Sequence, residues 1–335
     1  MKNILITGGA GYIGSHTAVQ LIEAGYNPII IDNLSNSDEK VLDRLKEITG
    51  SKLTFYKGDC SDRALLDKIS SEHQLVGVIH FAAFKAVGES TLQPLKYYQN
   101  NLGSLLTILD FMKEKQIKDL VFSSSCTVYG QPDILPVTEE TPRQDAESPY
   151  GNTKKICEDI LVDIVKSQAG IRVISLRYFN PVGAHPSGKI GELPIGTPAN
   201  LVPFVTQTAA GIREKLTVFG DDYDTADGSC VRDFIHVMDL ADAHVKAFAY
   251  LGEQKDDFYD VFNVGTGNGN TVLEVIRTFE KVNEVKVNYV IGARRAGDIV
   301  KIWADTAKIN NVLNWHPSYS LEDSLRDSWN WQKTL

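Results

Sequence analysis

The chain predicts an α/β protein: a Rossmann-type, doubly wound parallel sheet followed by a smaller mixed α/β domain that takes the substrate. Three observations carry this. Short apolar runs alternate with helix-period segments from residue 4 to residue 178. A glycine-rich turn, Gly8-Gly9-Ala10-Gly11-Tyr12-Ile13-Gly14, joins the first run to a helix, and an acid, Asp32, closes the second run. With 335 residues, 43% hydrophobic and 23% charged, the chain can build one large core or two modest ones. Its formal net charge of -9 argues against gripping nucleic acid or an anionic membrane through its overall field. An anionic small substrate therefore has to be met by locally placed arginines.

The first strand covers 4–7 and the following helix stops at Gly25. Glycines at 8, 11 and 14 permit the tight turn, bring backbone N–H groups to a pyrophosphate and allow close helix packing. The second strand, 29–31, ends in Asp32, where a carboxylate accepts from a free ribose 2′-hydroxyl and repels a 2′-phosphate, favouring NAD over NADP. The competing reading makes Asp32 the start of the turn containing Asn33 and Asn36. Strands at 53–56 and 76–81 lead to Asp59 and Lys85, which read equally well as ligand contacts or as loop charges. A helix over 94–115 precedes a strand over 120–125, whose terminal Ser125 falls at the carboxyl edge where such sheets bind ligands.

Ser148 and Pro149 then open a helix as cap and first residue. The spacing puts Tyr150 and Lys154 on one face of it. A free tyrosine titrates near pH ~10, so work as a base near neutrality needs a shift of roughly 3 units, about 4 kcal/mol. Lys154 and a bound cationic ring are expected to supply that shift, letting the phenolate take a proton from an alcohol as its hydride leaves. In an arbitrary protein the same pair packs and snorkels, so the assignment depends on the dinucleotide turn. A buried strand over 173–178 leads to Asn180, and glycines and prolines crowd the stretch after Pro181. We place the domain boundary there: 1–180 binds the dinucleotide and 181–335 mainly the substrate, with some elements able to return to the first domain.

The second part reads as strands at 216–219, 231–237, 262–264 and 285–290, a helix over 239–250 and a last helix after Ser320. Arg232 and Arg295 offer guanidinium forks for a diphosphate, with Asp298 nearby for hydroxyls, although taken without context surface ion pairing is the better explanation of such arginines. His236 and His316 read as structural, and the four tryptophans as packing residues. Cys60, Cys126, Cys157 and Cys230 form no CxxC or Cys/His cluster, so neither a disulfide framework nor a metal site is expected. Met1-Lys2-Asn3 runs directly into the first strand, and no segment is apolar enough to span a bilayer; the expectation is a cytoplasmic protein.

Taken together, the glycine turn, Asp32-Asn33, Ser123-Ser124-Ser125 and Tyr150-Gly151-Asn152-Thr153-Lys154 resemble the extended short-chain dehydrogenase/reductases. Five further motifs narrow the resemblance to the UDP-glucose 4-epimerase family. They are Lys85-Ala86-Val87-Gly88-Glu89-Ser90, Ser125-Cys126-Thr127-Val128-Tyr129-Gly130, Arg177-Tyr178-Phe179-Asn180, Val231-Arg232-Asp233-Phe234-Ile235-His236-Val237 and Arg295-Ala296-Gly297-Asp298. The resemblance implies reversible interconversion of UDP-galactose and UDP-glucose with NAD that stays bound, in a homodimer. It implies that Tyr150 takes the 4-hydroxyl proton with help from Ser125, that Lys154 positions the ribose, and that a 4-keto sugar turns over before the hydride returns.

The same resemblance puts Gly8, Gly11, Tyr12, Ile13, Gly14, Asp32, Asn33, Asp59, Cys60, Phe81, Lys85, Asn100, Ser123, Tyr150, Lys154 and Tyr178 around NAD. It puts Ser125, Tyr150, Asn180, Asn200, Leu201, Phe219, Arg232, Arg295 and Asp298 around the UDP-sugar. Relatives that dehydrate nucleotide sugars carry an acidic pair soon after the serine strand, whereas this chain has Cys126-Thr127-Val128. Ile302 stands where some epimerases carry a bulky tyrosine that limits sugar size. Two alternatives are another UDP-sugar 4-epimerase, which turnover with each sugar separates, and a dinucleotide sensor without chemistry, which predicts a broken Tyr/Lys pair.

Overall fold

A computed structural model of the chain describes residues 1–295 and 298–335. In order, the first elements are β1 (Asn3–Thr7), α1 (Tyr12–Glu23), β2 (Asn27–Asp32), α2 (Lys40–Thr49), β3 (Thr54–Lys57), α3 (Arg63–Glu72), β4 (Leu75–His80), α4 (Val87–Leu92), α5 (Pro94–Lys115), β5 (Asp119–Ser125), α6 (Pro149–Lys166) and β6 (Arg172–Tyr178). There follow β7 (Asn180–Val182), α7 (Leu201–Ala209), β8 (Leu216–Phe219), β9 (Val231–Arg232), β10 (Phe234–His236), α8 (Val237–Leu251), β11 (Tyr259–Val264), β12 (Asn270–Thr271), α9 (Val272–Asn283), β13 (Tyr289–Gly292), β14 (Lys301–Ile302), α10 (Ala307–Leu313) and α11 (Leu321–Gln332).

Two compact units form. The first comprises Met1–Gly130, Arg143–Arg177 and Ala241–Phe262; the second comprises Gln131–Pro142, Tyr178–Leu240 and Asn263–Leu335. Compared with a division at residue 180, the segments 131–142 and 241–262 are exchanged. Local hydrogen bonding shows why. Val137 N–H donates to the Trp303 carbonyl at 3.0 Å and its own carbonyl accepts from Asp305 at 2.7 Å, while Val173 N–H donates to the Phe258 carbonyl at 2.7 Å.

The first unit holds a seven-stranded sheet in the order β11-β6-β5-β4-β1-β2-β3. β1 pairs in parallel with both β2 and β4, β2 with β3 and β4 with β5, so the expected Rossmann-type fold is present. Ile4, Leu5, Ile6 and Ile29, Ile30, Ile31 are fully buried, as uninterrupted apolar runs must be in strands covered on both faces. The core continues through Leu105, Ile108 and Phe111 of α5 and Leu161 of α6. The strand order reverses at β1, so the carboxyl ends of β1 and β4 mark the crevice where such sheets take ligands. There Thr7 Oγ1 and His80 Nδ1 share a 2.8 Å hydrogen bond, and His80 stacks on Phe122. Burial, aided by the Lys154 charge, pushes His80 down to about 3, which keeps its ring neutral.

The second unit carries three small sheets, β10-β7, β12-β9-β14 and β13-β8. Its core gathers Val202 and Val205 of α7, Leu273, Ile276 and Phe279 of α9, and Leu325 of α11. Capping boxes start α9 (Thr271 with Glu274) and α11 (Ser320 with Asp323). Two expectations change here. The predicted strand over 231–237 is two strands in different sheets, broken at Asp233. That carboxylate is fully buried and accepts from Thr266 N and Oγ1, Gly267 N and Ala304 N, which pulls the backbone out of line. The predicted strand over 285–290 lies instead at Tyr289–Gly292, where it pairs with β8. Its earlier residues end α9's exit, with Val287 N–H held by Glu280.

His236 is buried, accepts from Met238 N–H at Nδ1 and stacks on Tyr319, a structural placement. Trp315 is also buried, its indole N–H donating to the Asp239 carbonyl. Among the described residues no helix is long and apolar enough to cross a membrane, and no cluster of His, Cys, Asp or Glu could hold a metal ion.

Candidate active site

The Tyr150 helix begins as its sequence dictates. Ser148 Oγ accepts from Gly151 N–H at 3.2 Å and Pro149 occupies the first turn, where no N–H is needed. Lys154, one turn on, is buried and donates from Nζ to the Ser123 carbonyl at 2.7 Å, with its ammonium 4.9 Å from the Phe122 ring centroid. Ser125, the last residue of β5, interacts through its side chain with the Tyr150 phenol. The structure thus brings Ser123, Ser125, Tyr150 and Lys154 together.

Burial pushes the Tyr150 phenol up to about 12, against a smaller lowering by Ser125. Burial also pulls Lys154 down to about 8, opposed by Cys157 and Glu158. Burial disfavours both charged forms, the ammonium and the phenolate.

The glycine turn forms an anion cradle at the start of α1. Gly8 sits at φ +70°, and a Cβ on Gly14 would lie 2.4 Å from the Gly8 carbonyl oxygen, so both positions require glycine. Gly11 stands at the N-cap of α1 and contributes no side chain there, so the backbone of the first turn can be approached closely by a phosphate. Asp32 ties this turn to the exit of β2: Oδ2 accepts from Ala10 N–H at 3.0 Å, and Oδ1 from Leu34 N–H at 2.8 Å and Ser37 Oγ at 3.0 Å. A carboxylate has about four acceptor positions, so room is left for a ribose hydroxyl. Asn33 Nδ2 donates to Asp59, whose carboxyl is held below its ordinary range by hydrogen bonds from Ser61 and Asn33 that outweigh its partial burial. A dinucleotide fits this set of residues.

The remaining cofactor candidates are more varied. Burial raises the Cys60 thiol to about 12, leaving it an inert packing group beside Asp59. Phe81 follows β4 and contacts His244, Lys85 is exposed, and Tyr178 is buried at the end of β6. Asn100 Nδ2 donates to Asn101 Oδ1.

In the second unit, Arg295 forks onto Asp298 at 2.6–3.1 Å and lies over the Phe219 ring at 5.3 Å, and Arg232 reaches Asp298 at 4.0 Å. Phe219, Arg232, Arg295 and Asp298 are therefore gathered, whereas Ala296 and Gly297 of their motif lie outside the described residues. Asn180, read as a loop residue, belongs to β7, and its N–H donates to the Asp233 carbonyl. Asn200 precedes α7 and donates to Glu192 rather than capping the helix; Leu201 opens that helix.

The sequence reading missed a buried network beneath the Tyr150 helix. Glu158 accepts from Ser124 Oγ at 2.6 Å, from Arg177 Nε at 2.9 Å and from Arg177 Nη2 at 2.7 Å. Arg177 Nη1 donates to the Tyr129 hydroxyl at 2.9 Å. The available signal was Glu158 itself, a carboxylate on the helix face that carries Tyr150 and Lys154.

A family model described as GDP-mannose 4,6 dehydratase matches residues 5–328. In this chain the turn after Ser125 runs Cys126-Thr127-Val128-Tyr129, without a carboxylate. The chain is 50% identical over 333 residues to UDP-glucose 4-epimerase 2 of Arabidopsis thaliana, covering 98% of this chain and 95% of that protein. It is 50% identical over 331 residues to the UDP-glucose 4-epimerase of Bacillus subtilis (strain 168), covering 99% and 97%. Among solved structures, it resembles the UDP-glucose 4-epimerase of Stenotrophomonas maltophila with bound NAD and formylated UDP-arabinopyranose. There the TM-score is 0.97 at 45% identity, covering 100% of this chain and 98% of the other. The Bifidobacterium longum UDP-glucose 4-epimerase in complex with NAD+ and UDP gives a TM-score of 0.96 at 45% identity, covering 99% and 98%.

Proposed function

Since the chain belongs to the UDP-glucose 4-epimerase family, we propose that it interconverts UDP-galactose and UDP-glucose on bound NAD. The observation that carries this reading is the meeting of Tyr150, Lys154 and Ser125 in the same unit as the glycine cradle. Bound NAD supplies a hydride acceptor for C4 of the sugar and a cationic ring. That positive charge would offset the burial that pushes the Tyr150 phenol up to about 12.

Tyr150 takes the proton of the 4-hydroxyl, with Ser125 hydrogen-bonding the same oxygen, and returns it when the hydride comes back. Lys154, anchored on the Ser123 carbonyl, orients the cofactor ribose. Gly8, Gly11, Tyr12, Ile13 and Gly14 receive the pyrophosphate, Asp32 and Asn33 the adenosine ribose, and Asp59 the adenine; Cys60, Phe81, Lys85, Asn100, Ser123 and Tyr178 complete the cofactor set. Arg232 and Arg295 bind the diphosphate, Phe219 stacks on the uracil, and Asp298, Asn180, Asn200 and Leu201 complete the nucleotide contacts. With the nucleotide anchored by these residues the sugar would be left free to turn between the two hydride transfers that NAD would supply, which would invert C4. The first unit acts as the NAD-binding part and the second as the substrate part.

The test is incubation of the purified chain with UDP-galactose and no added cofactor. UDP-glucose appears while no reduced nicotinamide accumulates; failure to form it even with added NAD sinks the proposal. The same assay with UDP-N-acetylgalactosamine reports on Ile302, which is buried in β14 opposite Arg232.

Asp32→Ala is expected to lower the preference for NAD over NADP by roughly 10- to 100-fold, the worth of a hydrogen bond to a charged group. Equilibrium binding of both cofactors checks it, and an unchanged ratio removes Asp32 from the ribose. A cytoplasmic location accords with four buried cysteines, none in a disulfide. A homodimer accords with the exposed Leu95 and Leu106, which lie on one face of α5. Sedimentation of the chain and of Leu95→Glu tests the dimer.

A further inference from the structure

We propose that Glu158, locked to Arg177 and Ser124, is a positioning residue that sets the register of α6 against β5 and so holds Tyr150 and Lys154 in reacting geometry. This rests on the epimerase reading above.

Three successive residues of β5 engage three successive turns of α6. The Ser125 side chain meets Tyr150, the Ser123 carbonyl receives Lys154 Nζ, and Ser124 Oγ donates to Glu158. Tyr150, Lys154 and Glu158 stand four residues apart, on one face of the helix. The first two contacts involve groups needed for chemistry. The third is made by a carboxylate that touches no reacting atom.

Glu158 and Arg177 are 1% and 4% exposed, so the pair lies in the interior. Both carboxylate oxygens are occupied: Oε1 accepts from Ser124 Oγ and Arg177 Nε, while Oε2 accepts from Arg177 Nη2 and, at 3.4 Å, from Arg143 Nη1. The fork fixes Glu158 relative to β6 as well as β5, and Arg177 is itself braced by the Tyr129 hydroxyl and ring. A buried ion pair of this kind adds little stability over apolar packing, yet its directional bonds tolerate only one register. An axial slip of α6 would break four contacts here and carry Tyr150 away from Ser125.

A second anchor helps to keep the helix in place. Asn101 Nδ2 of α5 donates to Thr153 Oγ1 at 3.1 Å, and Thr153 Oγ1 donates to the Tyr150 carbonyl. Removing the Glu158 charge therefore leaves α6 docked through these bonds but less tightly held against β5 and β6.

The test compares the parent chain with Glu158→Gln and Ser124→Ala, measuring kcat and KM for UDP-galactose, NAD content per chain and thermal midpoint. Glu158→Gln is expected to lose roughly 100-fold in kcat per NAD-loaded chain, the cost of a misplacement on the order of 1 Å, with KM changed far less. Ser124→Ala, which removes one donor and leaves the ion pair, is expected to lose kcat in the same direction by roughly tenfold. If Glu158→Gln does not fold, Ser124→Ala decides. A kcat equal to the parent's in a folded variant overturns the proposal, as does a loss explained wholly by a smaller NAD-loaded fraction. A parent chain without turnover overturns the epimerase reading itself, and this proposal with it.

Discussion

Tyr150→Phe leaves NAD and UDP-sugar bound and lowers turnover by roughly 100- to 10,000-fold, the usual contribution of a positioned acid or base. The ring keeps its packing at the start of α6, so the cofactor cradle and the Lys154 anchor on Ser123 are untouched. Only the proton acceptor is lost. The burial that pushes the phenol up to about 12 gives the variant no energetic reason to unfold, because the missing hydroxyl needed partners in a low-dielectric place. Steady-state rates beside equilibrium binding of both ligands decide the matter. A near-normal rate removes Tyr150 from the mechanism.

Stability is expected to fall as pH drops below 6.5, with His80 as one contributor. Its folded-state pKa is depressed from 6.5 to about 3 by burial and by Lys154. Between those values the unfolded chain takes up a proton that the folded chain refuses, so acid favours unfolding. At 1.36 kcal/mol per unit the loss approaches about 5 kcal/mol by pH ~3, and it is fully recovered above 6.5, where neither state is charged. Denaturant unfolding at a series of pH values, with the parent beside His80→Asn, isolates this term from carboxylate titration. Equal pH slopes in the two chains would refute it.

What could be read from the sequence was what is decided over a few residues. The turn of Gly8 and Gly14 is dictated by sterics within seven positions, and the Ser148-Pro149 start of α6 by two. α9 was equally legible, since Thr271 and Glu274 spell a capping box ahead of an apolar stripe, but it was not assigned. Asp233 was not legible: the partners of its carboxylate are Thr266, Gly267 and Ala304, more than thirty residues away, and the predicted strand is interrupted where they meet it. The Glu158–Arg177 lock is hidden in the same way, as is the pairing of Val137 with Trp303 that draws 131–142 into the second unit.

The place of β11 at one edge of the seven-stranded sheet has a consequence for biosynthesis. Its neighbour β6 ends at Tyr178, and β11 is complete only at Val264. At roughly 5–20 residues per second of translation, the β6 edge waits on the order of 4–17 s for its partner. During that interval a nascent chain presents unpaired backbone donors and acceptors from a buried, apolar strand, which is a template for joining other chains. Chaperone capture, or crowding of ribosomes on one message, would therefore act most strongly on intermediates that end between these two strands.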